Sequence, residues 1–385
     1  MMTNATRNEK PTPMNTIQKL HERGQSVWCD NLSRKMIDSG ELRRLIDLGV
    51  VGITSNPTIF MKAITGGDDY DNLLPSLSDE DLDVVSTYER LALPDIAGAA
   101  DLLRPVYERT NGIDGYVSLE VNPKLAYDTE ATIAEARRLF AELERPNVFI
   151  KVPATEAGIP AIETLIGEGI NVNVTLIFSV AMYRKVMRAY IDGLKCYDAA
   201  GGDLSRVASV ASFFVSRVDT LVDKLLEEKR NAGASVEGLL GTAAVANAKL
   251  AYARFTEVFD RAGEFGALAA REARVQRPLW ASTSTKNPAY PDTKYVDDLV
   301  GPNTVNTMPP ETLAKTLDHG RSEVTIDRDV AGARAALAGL AEVEIDLKAV
   351  TDQLTIEGVN AFAKSFDELL ANLAAKRARL KTVAR

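Results

Sequence analysis

Short apolar runs rich in β-branched and aromatic residues alternate along this chain with longer segments of helical period. This alternation predicts repeated βα units and a parallel sheet. The predicted strands cover residues 27–32, 52–56, 116–121, 148–152, 171–178, 207–215, 278–282 and 303–307. Runs such as VFIKV are apolar at nearly every position, which is typical of strands covered on both faces. Eight such units favour a closed (β/α)8 TIM barrel over an open sheet, and no GxGxxG turn follows the first strand.

Helical periodicity between the strands supplies the other half of each unit. Ser39 is predicted to cap a helix that ends at Gly49. Asp128 is predicted to cap a second helix, which ends before Pro146. A third is expected to begin near Gly158.

The 385 residues exceed what a minimal barrel needs, and the surplus lies in three places. We predict helical insertions at residues 62–112 and 232–275, and a helical C-terminal extension from about residue 311. Residues 14–385 are expected to form a single barrel domain that carries this extension. The polar segment 1–13 contains two prolines and is predicted to be disordered.

Charge and composition argue against several classes of protein. With a net charge of −9 and scattered Lys and Arg residues, general binding of nucleic acid is not expected. No apolar run approaches the length of about 18 residues that spans a membrane, and the N-terminal segment lacks a signal-peptide pattern, so we predict a cytoplasmic protein. Cys29 and Cys196 are too few for a disulfide framework or thiolate metal site, and both are predicted to be core residues. The oligomeric state is left open, with a homodimer among the alternatives.

The active site of such a barrel lies at the carboxyl ends of its strands, so the polar residues there are the candidates for function. They include Asp30, Thr54, Asn56, Glu120, Lys151, Asn173, Thr175, Ser212 and Ser282. Seven strands thus present hydroxyls, amides, carboxylates and one amine at the same end. An anionic substrate would need a local positive pocket there, because the whole chain is acidic.

Lys151 is the most informative of these residues because it stands between Ile150 and Val152 in an apolar strand. A buried ammonium costs free energy unless it is paired or loses its proton. A lysine whose pKa is lowered toward neutrality is the residue type that forms Schiff bases with carbonyl substrates. Asp30 and Glu120 on neighbouring strands could then transfer the protons that this chemistry needs. The alternative is a structural ion pair between Lys151 and one of these carboxylates.

Histidine is poorly placed to supply the same chemistry. The chain contains only His21 and His319, and both fall on predicted helices away from the strand ends. This placement disfavours a histidine-based metal site and a Ser-His-Asp triad.

Five motifs, in order, resemble those of the transaldolase family: GVVGITSNPTIF, SLEVNPKLAYD, VFIKVPATEAGI, INVNVTLIFS and SFFVSRVD. WASTSTKNPAY and NTVNTMP resemble the actinobacterial-type branch of that family. The similarity runs from about residue 30 to residue 310 and continues more weakly into the C-terminal helices. It implies a Schiff-base enzyme without metal or organic cofactor. Such an enzyme moves a dihydroxyacetone unit from sedoheptulose 7-phosphate or fructose 6-phosphate to an aldose phosphate, in the pentose phosphate pathway.

The resemblance also implies a role for each matching residue. Lys151 would form the Schiff base, Asp30 would be the general base for carbon–carbon cleavage, and Glu120 and Thr175 would hold a catalytic water. The implied substrate contacts are Asn56 and Asn173 to the dihydroxyacetone unit, Thr54, Phe178 and Phe214 as pocket walls, and Ser212, Arg217 and Ser282 at the distal phosphate.

The seventh strand departs from the better-known family pattern. Many members place an arginine two residues after the strand's serine, whereas here Ser282 is followed by Thr283 and Ser284. The phosphate would lose a bidentate partner. Lys286 is the nearest cation in the sequence, and we predict that it replaces this arginine by binding the phosphate as a point charge.

Most of these residues also have an interpretation that involves no function. Those alternatives are a turn at Asn56, an ordinary strand residue at Thr175, core packing for Phe178 and Phe214, and a surface ion pair for Arg217.

Two other functions stay open. One is an aldolase of the same superfamily that releases free dihydroxyacetone, but those relatives tend to be shorter and carry glutamine at position 120 and tyrosine at position 214. The other is a barrel that binds a sugar phosphate without turnover, which would not need a buried amine beside two carboxylates.

Overall fold

The apolar segments form the strands of a closed barrel, because only a sheet covered on both faces can bury such sequences. The computed structural model describes residues 13–74, 77 and 82–383, and within these ranges eight parallel strands pair in chain order. The strands are β1 (Gln25–Cys29), β2 (Gly52–Thr54), β3 (Tyr116–Glu120), β4 (Val148–Pro153), β5 (Val172–Ile177), β6 (Ser209–Phe214), β7 (Arg277–Ala281) and β8 (Thr304–Met308). β1 pairs with β8 from Gln25 opposite Thr304 to Cys29 opposite Met308, which closes the barrel. The predicted (β/α)8 fold is confirmed.

Helices connect the strands on the outside of the barrel. They are α1 (Thr16–Glu22), α2 (Arg34–Asp38), α3 (Glu41–Leu48), α4 (Pro57–Thr65), α5 (Val84–Arg109), α6 (Thr129–Leu143), α7 (Gly158–Gly167), α8 (Val180–Ala199), α9 (Ser216–Asn231), α10 (Ala243–Val258), α11 (Gly266–Ala269), α12 (Lys294–Asp297), α13 (Pro310–His319), α14 (Val330–Glu342) and α15 (Leu347–Val383). Of the predicted insertions, the first consists largely of α5 and the second of α10 and α11, so the described parts of both are helical.

Two of the three predicted helix boundaries with named caps are confirmed. Asp128 accepts a hydrogen bond from the backbone amide of Ala131 at the start of α6, and Gly49 ends α3 in the left-handed conformation at φ 111°. The prediction for Ser39 is wrong, since Ser39 ends α2. Gly40, at φ 76°, separates α2 from α3, a backbone conformation that glycine adopts without steric cost.

The C-terminal extension begins later than predicted. α13 directly follows β8 and packs against α1, so it completes the eighth βα unit instead of starting an extension at about residue 311. The extension proper consists of α14 and α15 after His319. α15 packs against α4, α5 and α9 and also contacts β5.

A single hydrophobic cluster extends from Ile17 to Leu373 and includes both tryptophans, Trp28 and Trp280. This continuity supports, as a proposal, one domain over residues 14–385. Apart from Pro13, the segment predicted to be disordered lies outside the described residues.

Cys29 is buried as predicted, but Cys196 is exposed, because it lies off the buried face of α8. In the described part of the chain, no helix combines the length and apolar character needed to cross a membrane.

Candidate active site

A pocket of about 620 Å³ opens at the carboxyl ends of the strands. Ten of the thirteen predicted site residues line it: Asp30, Thr54, Asn56, Lys151, Thr175, Ser212, Phe214, Arg217, Ser282 and Lys286. The other three, Glu120, Asn173 and Phe178, lie in the wall behind these residues. Strand-end position was therefore a sufficient guide to most of the pocket, because the closed barrel brings all strand ends to one rim.

The Lys151 amine lies at the floor of this pocket, and the side chain is only 6% exposed. Its Nζ donates a hydrogen bond to the backbone oxygen of Ser55 at 3.0 Å and lies 3.2 Å from Glu120 Oε2. Glu120 is directly opposite Lys151 in the pairing of β3 with β4. The ion pair that the sequence left open as an alternative is present with Glu120, and it holds the amine beside a carboxylate that can exchange protons with it.

Two buried carboxyl groups flank the amine from neighbouring strands. Burial raises the pKa of Asp30, an effect that is opposed by the hydrogen bond that Thr54 Oγ1 donates to it at 2.7 Å and by the charge of Lys151. Burial also raises the pKa of Glu120, again opposed by Lys151. Each carboxyl group therefore takes up protons at a higher pH than an exposed one, which is the direction expected of a group that transfers protons.

Two polar atoms in this region are buried and lack a hydrogen-bond partner within the described structure: Glu120 Oε2 and Thr175 Oγ1. Glu120 Oε2 has only the ion-pair contact with Lys151. An unsatisfied buried polar group costs about 1–3 kcal/mol. Such groups in a native structure point to a bound ligand or ordered water.

Asn56, Phe214 and Phe178 each make contacts that support the fold as well as lying in or behind the pocket. The Asn56 side-chain oxygen caps α4 by accepting from the Ile59 backbone amide at 3.0 Å, so its amide nitrogen is the group left for a ligand. Phe214 lines the pocket, whereas Phe178 packs behind it with ring centroids 5.2 Å apart. Phe178 therefore shapes the pocket only through Phe214.

Asn173 is fully buried beneath the pocket. Its amide nitrogen donates to Ser118 Oγ at 3.0 Å, and its oxygen accepts from Ser212 Oγ at 2.7 Å. The second bond fixes the hydroxyl of Ser212, which does line the pocket. In this geometry Asn173 orients Ser212.

Arg217 adds a second positive charge to the lining of the pocket, beside that of Lys151. It is half-buried, and among the described residues no carboxylate lies within ion-pair distance of its guanidinium, so the alternative of a surface ion pair is not found. The guanidinium lies over the Phe214 ring at 5.4 Å. Burial lowers the pKa of Arg217, partly offset by Glu357 and Glu120, but a guanidinium remains charged. α9 starts at Ser216 without a side-chain cap, but the backbone amides of Ser216 and Val218 already donate to the Ser282 and Val215 oxygens, at 3.0 and 2.9 Å.

The segment after β7 closes this end of the pocket. Ser282 has a φ of 56°, and its hydroxyl shares a hydrogen bond of 2.9 Å with that of Ser216. Lys286 is exposed at the rim, where its Nζ donates to Ser284 Oγ at 2.5 Å. Lys286 thus lies at the same pocket as Arg217, although Ser284 occupies the position of the arginine in the family pattern.

Among the described residues, Phe362 of α15 alone brings the C-terminal extension into the pocket lining, and no feature of the sequence indicated it. It lies far from every strand end in the chain and within no recognisable motif. Only the path of α15 across the barrel brings it to the pocket.

No group of three or more His, Cys, Asp or Glu side chains is arranged for a metal ion in the parts of the chain that the structure describes. His21 contacts the Gly49 backbone oxygen, and His319 lies between Asp292 and Asp318. Neither histidine lines the pocket, as expected from the sequence.

Comparison with known proteins agrees with the motifs. Residues 27–373 match the family model described as Transaldolase/Fructose-6-phosphate aldolase. The chain is 51% identical over 360 residues to a transaldolase of Thermobifida fusca, covering 93% of this chain and 97% of the relative. It is 48% identical over 373 residues to transaldolase 2 of a Nostoc species, covering 94% and 98%. A transaldolase of Saccharopolyspora erythraea is 50% identical over 366 residues, covering 93% and 97%. The chain therefore belongs to the transaldolase family.

Proposed function

We propose that this transferase moves a dihydroxyacetone unit from fructose 6-phosphate or sedoheptulose 7-phosphate to an aldose phosphate. The observation that carries the proposal is the buried Lys151 amine, 3.2 Å from Glu120 at the floor of a pocket that Asp30 and Thr175 also line. An amine in that position can attack a ketose carbonyl, and the two carboxyl groups can move the protons.

Schiff-base formation uses Lys151, Glu120 and Thr175. Lys151 Nζ adds to the ketose carbonyl carbon, and the resulting carbinolamine loses water to give the iminium ion. Glu120 takes up and returns protons through a water that it holds with Thr175. Thr175 Oγ1 is buried without a hydrogen-bond partner among the described residues, and Glu120 Oε2 has only its ion-pair contact with Lys151; both observations support this assignment.

Carbon–carbon cleavage uses Asp30. Its carboxylate accepts the proton of the donor hydroxyl, the bond between the third and fourth carbons breaks, and its electrons pass to the iminium nitrogen to form an enamine. The aldose phosphate leaves, and an acceptor aldehyde enters and reverses these steps. The Asn56 amide and Asn173 are proposed to hold the dihydroxyacetone hydroxyls during the exchange.

The phosphate is proposed to bind at Arg217, Ser212, Ser282 and Lys286. Arg217 supports this because it is a half-buried cation without an ion-pair partner in the described residues. Two cations at one end of the pocket are enough to attract a phosphate to a chain that is acidic overall.

The alternative aldolase would release free dihydroxyacetone instead of transferring it. Against it stand Glu120 and Phe214, where such relatives carry glutamine and tyrosine. The test is to incubate the enzyme with fructose 6-phosphate, with and without erythrose 4-phosphate, and to measure both sedoheptulose 7-phosphate and free dihydroxyacetone. We expect acceptor-dependent product and little free dihydroxyacetone. Release that the acceptor does not diminish would favour the aldolase, and binding without any exchange would favour a non-catalytic barrel.

We further propose that the enzyme works in the cytoplasm. Cys29 and Cys196 are both free thiols, as is usual in a reducing compartment.

The Lys286→Ala variant should raise KM for fructose 6-phosphate by about tenfold and change kcat little, because a phosphate contact of about 1.4 kcal/mol is lost before the chemical step. Steady-state kinetics measure both constants. The matched control is Lys348→Ala, which removes an exposed lysine paired with Asp352 away from the pocket. A KM unchanged from the wild type would show that Lys286 does not replace the missing arginine.

The Thr54→Val variant should move the acid limb of the kcat/KM profile to higher pH by about one unit, the effect of losing one hydrogen bond to a charged group. Burial already raises the pKa of Asp30, and the Thr54 hydroxyl opposes that shift by donating to the carboxylate. Removing the donor raises the pKa further, so Asp30 loses its base form at a higher pH. Thr307→Val is the control, since Thr307 contacts the Thr54 hydroxyl and not Asp30. An acid limb that stays in place while the rate falls would contradict Asp30 as the base.

A further inference from the structure

The C-terminal helix α15 places an aromatic ring over the reacting groups. The Phe362 ring centroid lies 5.9 Å from Lys151 Nζ and 5.9 Å from Arg217 Cζ. The side chain is 6% exposed and lines the pocket. One ring therefore covers the amine and also borders the phosphate end of the pocket.

Contacts on both sides of Phe362 hold this ring in place. Toward the start of α15, Gly358 lies so close to β5 that a Cβ there would come within 2.9 Å of Leu176 Cδ2. Toward its end, Thr58 Oγ1 donates to Ser365 Oγ at 2.9 Å, which ties α15 to α4. The helix is fixed against two elements of the barrel, so Phe362 is a rigid wall and not a mobile cover.

After cleavage, the three-carbon unit is held on Lys151 as an enamine with two possible fates. In transfer, the enamine carbon forms a bond to the acceptor's aldehyde carbon, and the aldehyde oxygen takes a proton. In release, the enamine carbon itself takes a proton, water adds to the iminium carbon, and the carbon–nitrogen bond breaks to give free dihydroxyacetone and the Lys151 amine. Release therefore begins with protonation of carbon, for which solvent is a proton source.

We propose that Phe362 is a specificity-determining residue that favours transfer by covering the Schiff base and keeping bulk solvent from the enamine carbon. An apolar ring within 6 Å of the amine excludes water from that side of the pocket without blocking a sugar phosphate that enters beside Arg217. Glu120 and Thr175 keep their own proposed water for the carbinolamine steps. This inference rests on the proposed transaldolase activity.

The test compares Phe362→Ala and Phe362→Leu with Phe366→Ala. Phe366 is one turn further along α15 and equally buried, but its ring contacts Tyr88, outside the pocket. The readout is the ratio of free dihydroxyacetone to sedoheptulose 7-phosphate formed from fructose 6-phosphate and erythrose 4-phosphate. We expect the ratio to rise by about tenfold in Phe362→Ala and by roughly threefold in Phe362→Leu, since leucine restores part of the apolar cover. It should stay unchanged in Phe366→Ala.

A structural role alone would not move this ratio, because loss of folded enzyme lowers both products together. Borohydride trapping on Lys151 checks that each variant still forms the Schiff base. An unchanged ratio in Phe362→Ala, or an equal rise in Phe366→Ala, would overturn the inference. If Phe362→Ala fails to fold, Phe362→Leu decides by the same ratio. A wild-type enzyme that traps no Schiff base or transfers no triose would instead refute the proposed function.

Discussion

Replacing Lys151 with arginine should lower kcat/KM by roughly 10⁴-fold or more and abolish borohydride-dependent labelling by fructose 6-phosphate. Arginine keeps the positive charge beside Glu120 but cannot form a Schiff base. The substitution therefore separates the nucleophile from the ion pair that the structure also contains, with Nζ 3.2 Å from Glu120 Oε2. Kinetics and mass mapping of the reduced, labelled peptide measure the two effects.

The control for Lys151→Arg is Lys124→Arg, at an exposed lysine that pairs with Asp367 beyond the pocket. This variant should keep full activity and full labelling of the peptide that carries Lys151. If Lys151 served only as a structural ion-pair partner, its arginine variant would retain most of its activity. A label on any other lysine in the wild-type enzyme would equally refute the assignment.

The barrel could be predicted because its signals are local. Each strand is a short apolar run, and residues such as Asp128 and Gly49 mark helix boundaries through side-chain or backbone preferences that act within a few positions. The predicted N-terminal cap at Ser39 was wrong because a cap residue and a glycine stand next to each other. Ser39 ends α2, and Gly40, in the left-handed conformation, precedes α3. The predicted start of the extension was wrong because the sequence of α13 has the same helical pattern as an extension helix. Only its contact with α1 shows that it belongs to the barrel.

Strand-end position identified most of the residues that line the pocket for a similar reason. A closed parallel barrel converts position within a strand into position in space, so Lys151, Asp30 and Thr175 could be grouped before any coordinates were known. Phe362 could not be grouped with them, because its place depends on how α15 crosses the barrel. Long-range packing of this kind leaves no periodic or compositional mark in the sequence.

The hydrogen-bond partners of the candidate side chains could not be predicted from the sequence either. Asn173 lies on the right strand, but the sequence could not indicate that Ser118 and Ser212 occupy its amide. Asn56 likewise serves as a helix cap through its oxygen while its nitrogen remains for the site. In both cases the hydrogen bonds of neighbouring residues decide which atoms of a candidate side chain stay available to a substrate.

The Asp30→Asn variant should lower kcat by about 10²–10⁴-fold and still form the trapped Schiff base on Lys151. Asparagine has nearly the same shape and can still accept the hydrogen bond from Thr54, but it cannot take the proton of the donor hydroxyl. Schiff-base formation uses Glu120 and Thr175 instead, so the variant should stop between iminium formation and carbon–carbon cleavage. The measurements are borohydride labelling with fructose 6-phosphate and the rapid release of glyceraldehyde 3-phosphate in a single turnover.

Glu120→Gln is the matched comparison for Asp30→Asn, since both changes replace a buried carboxyl group by an amide near the same amine. It should slow labelling itself, because the proton relay for the carbinolamine is impaired. The two variants therefore differ in which step fails: Asp30→Asn labels but does not cleave, and Glu120→Gln labels slowly and cleaves what it labels. If Asp30→Asn blocked labelling as strongly as cleavage, Asp30 would act on the amine and not on the donor hydroxyl. The general base for cleavage would then have to be sought elsewhere on the pocket rim.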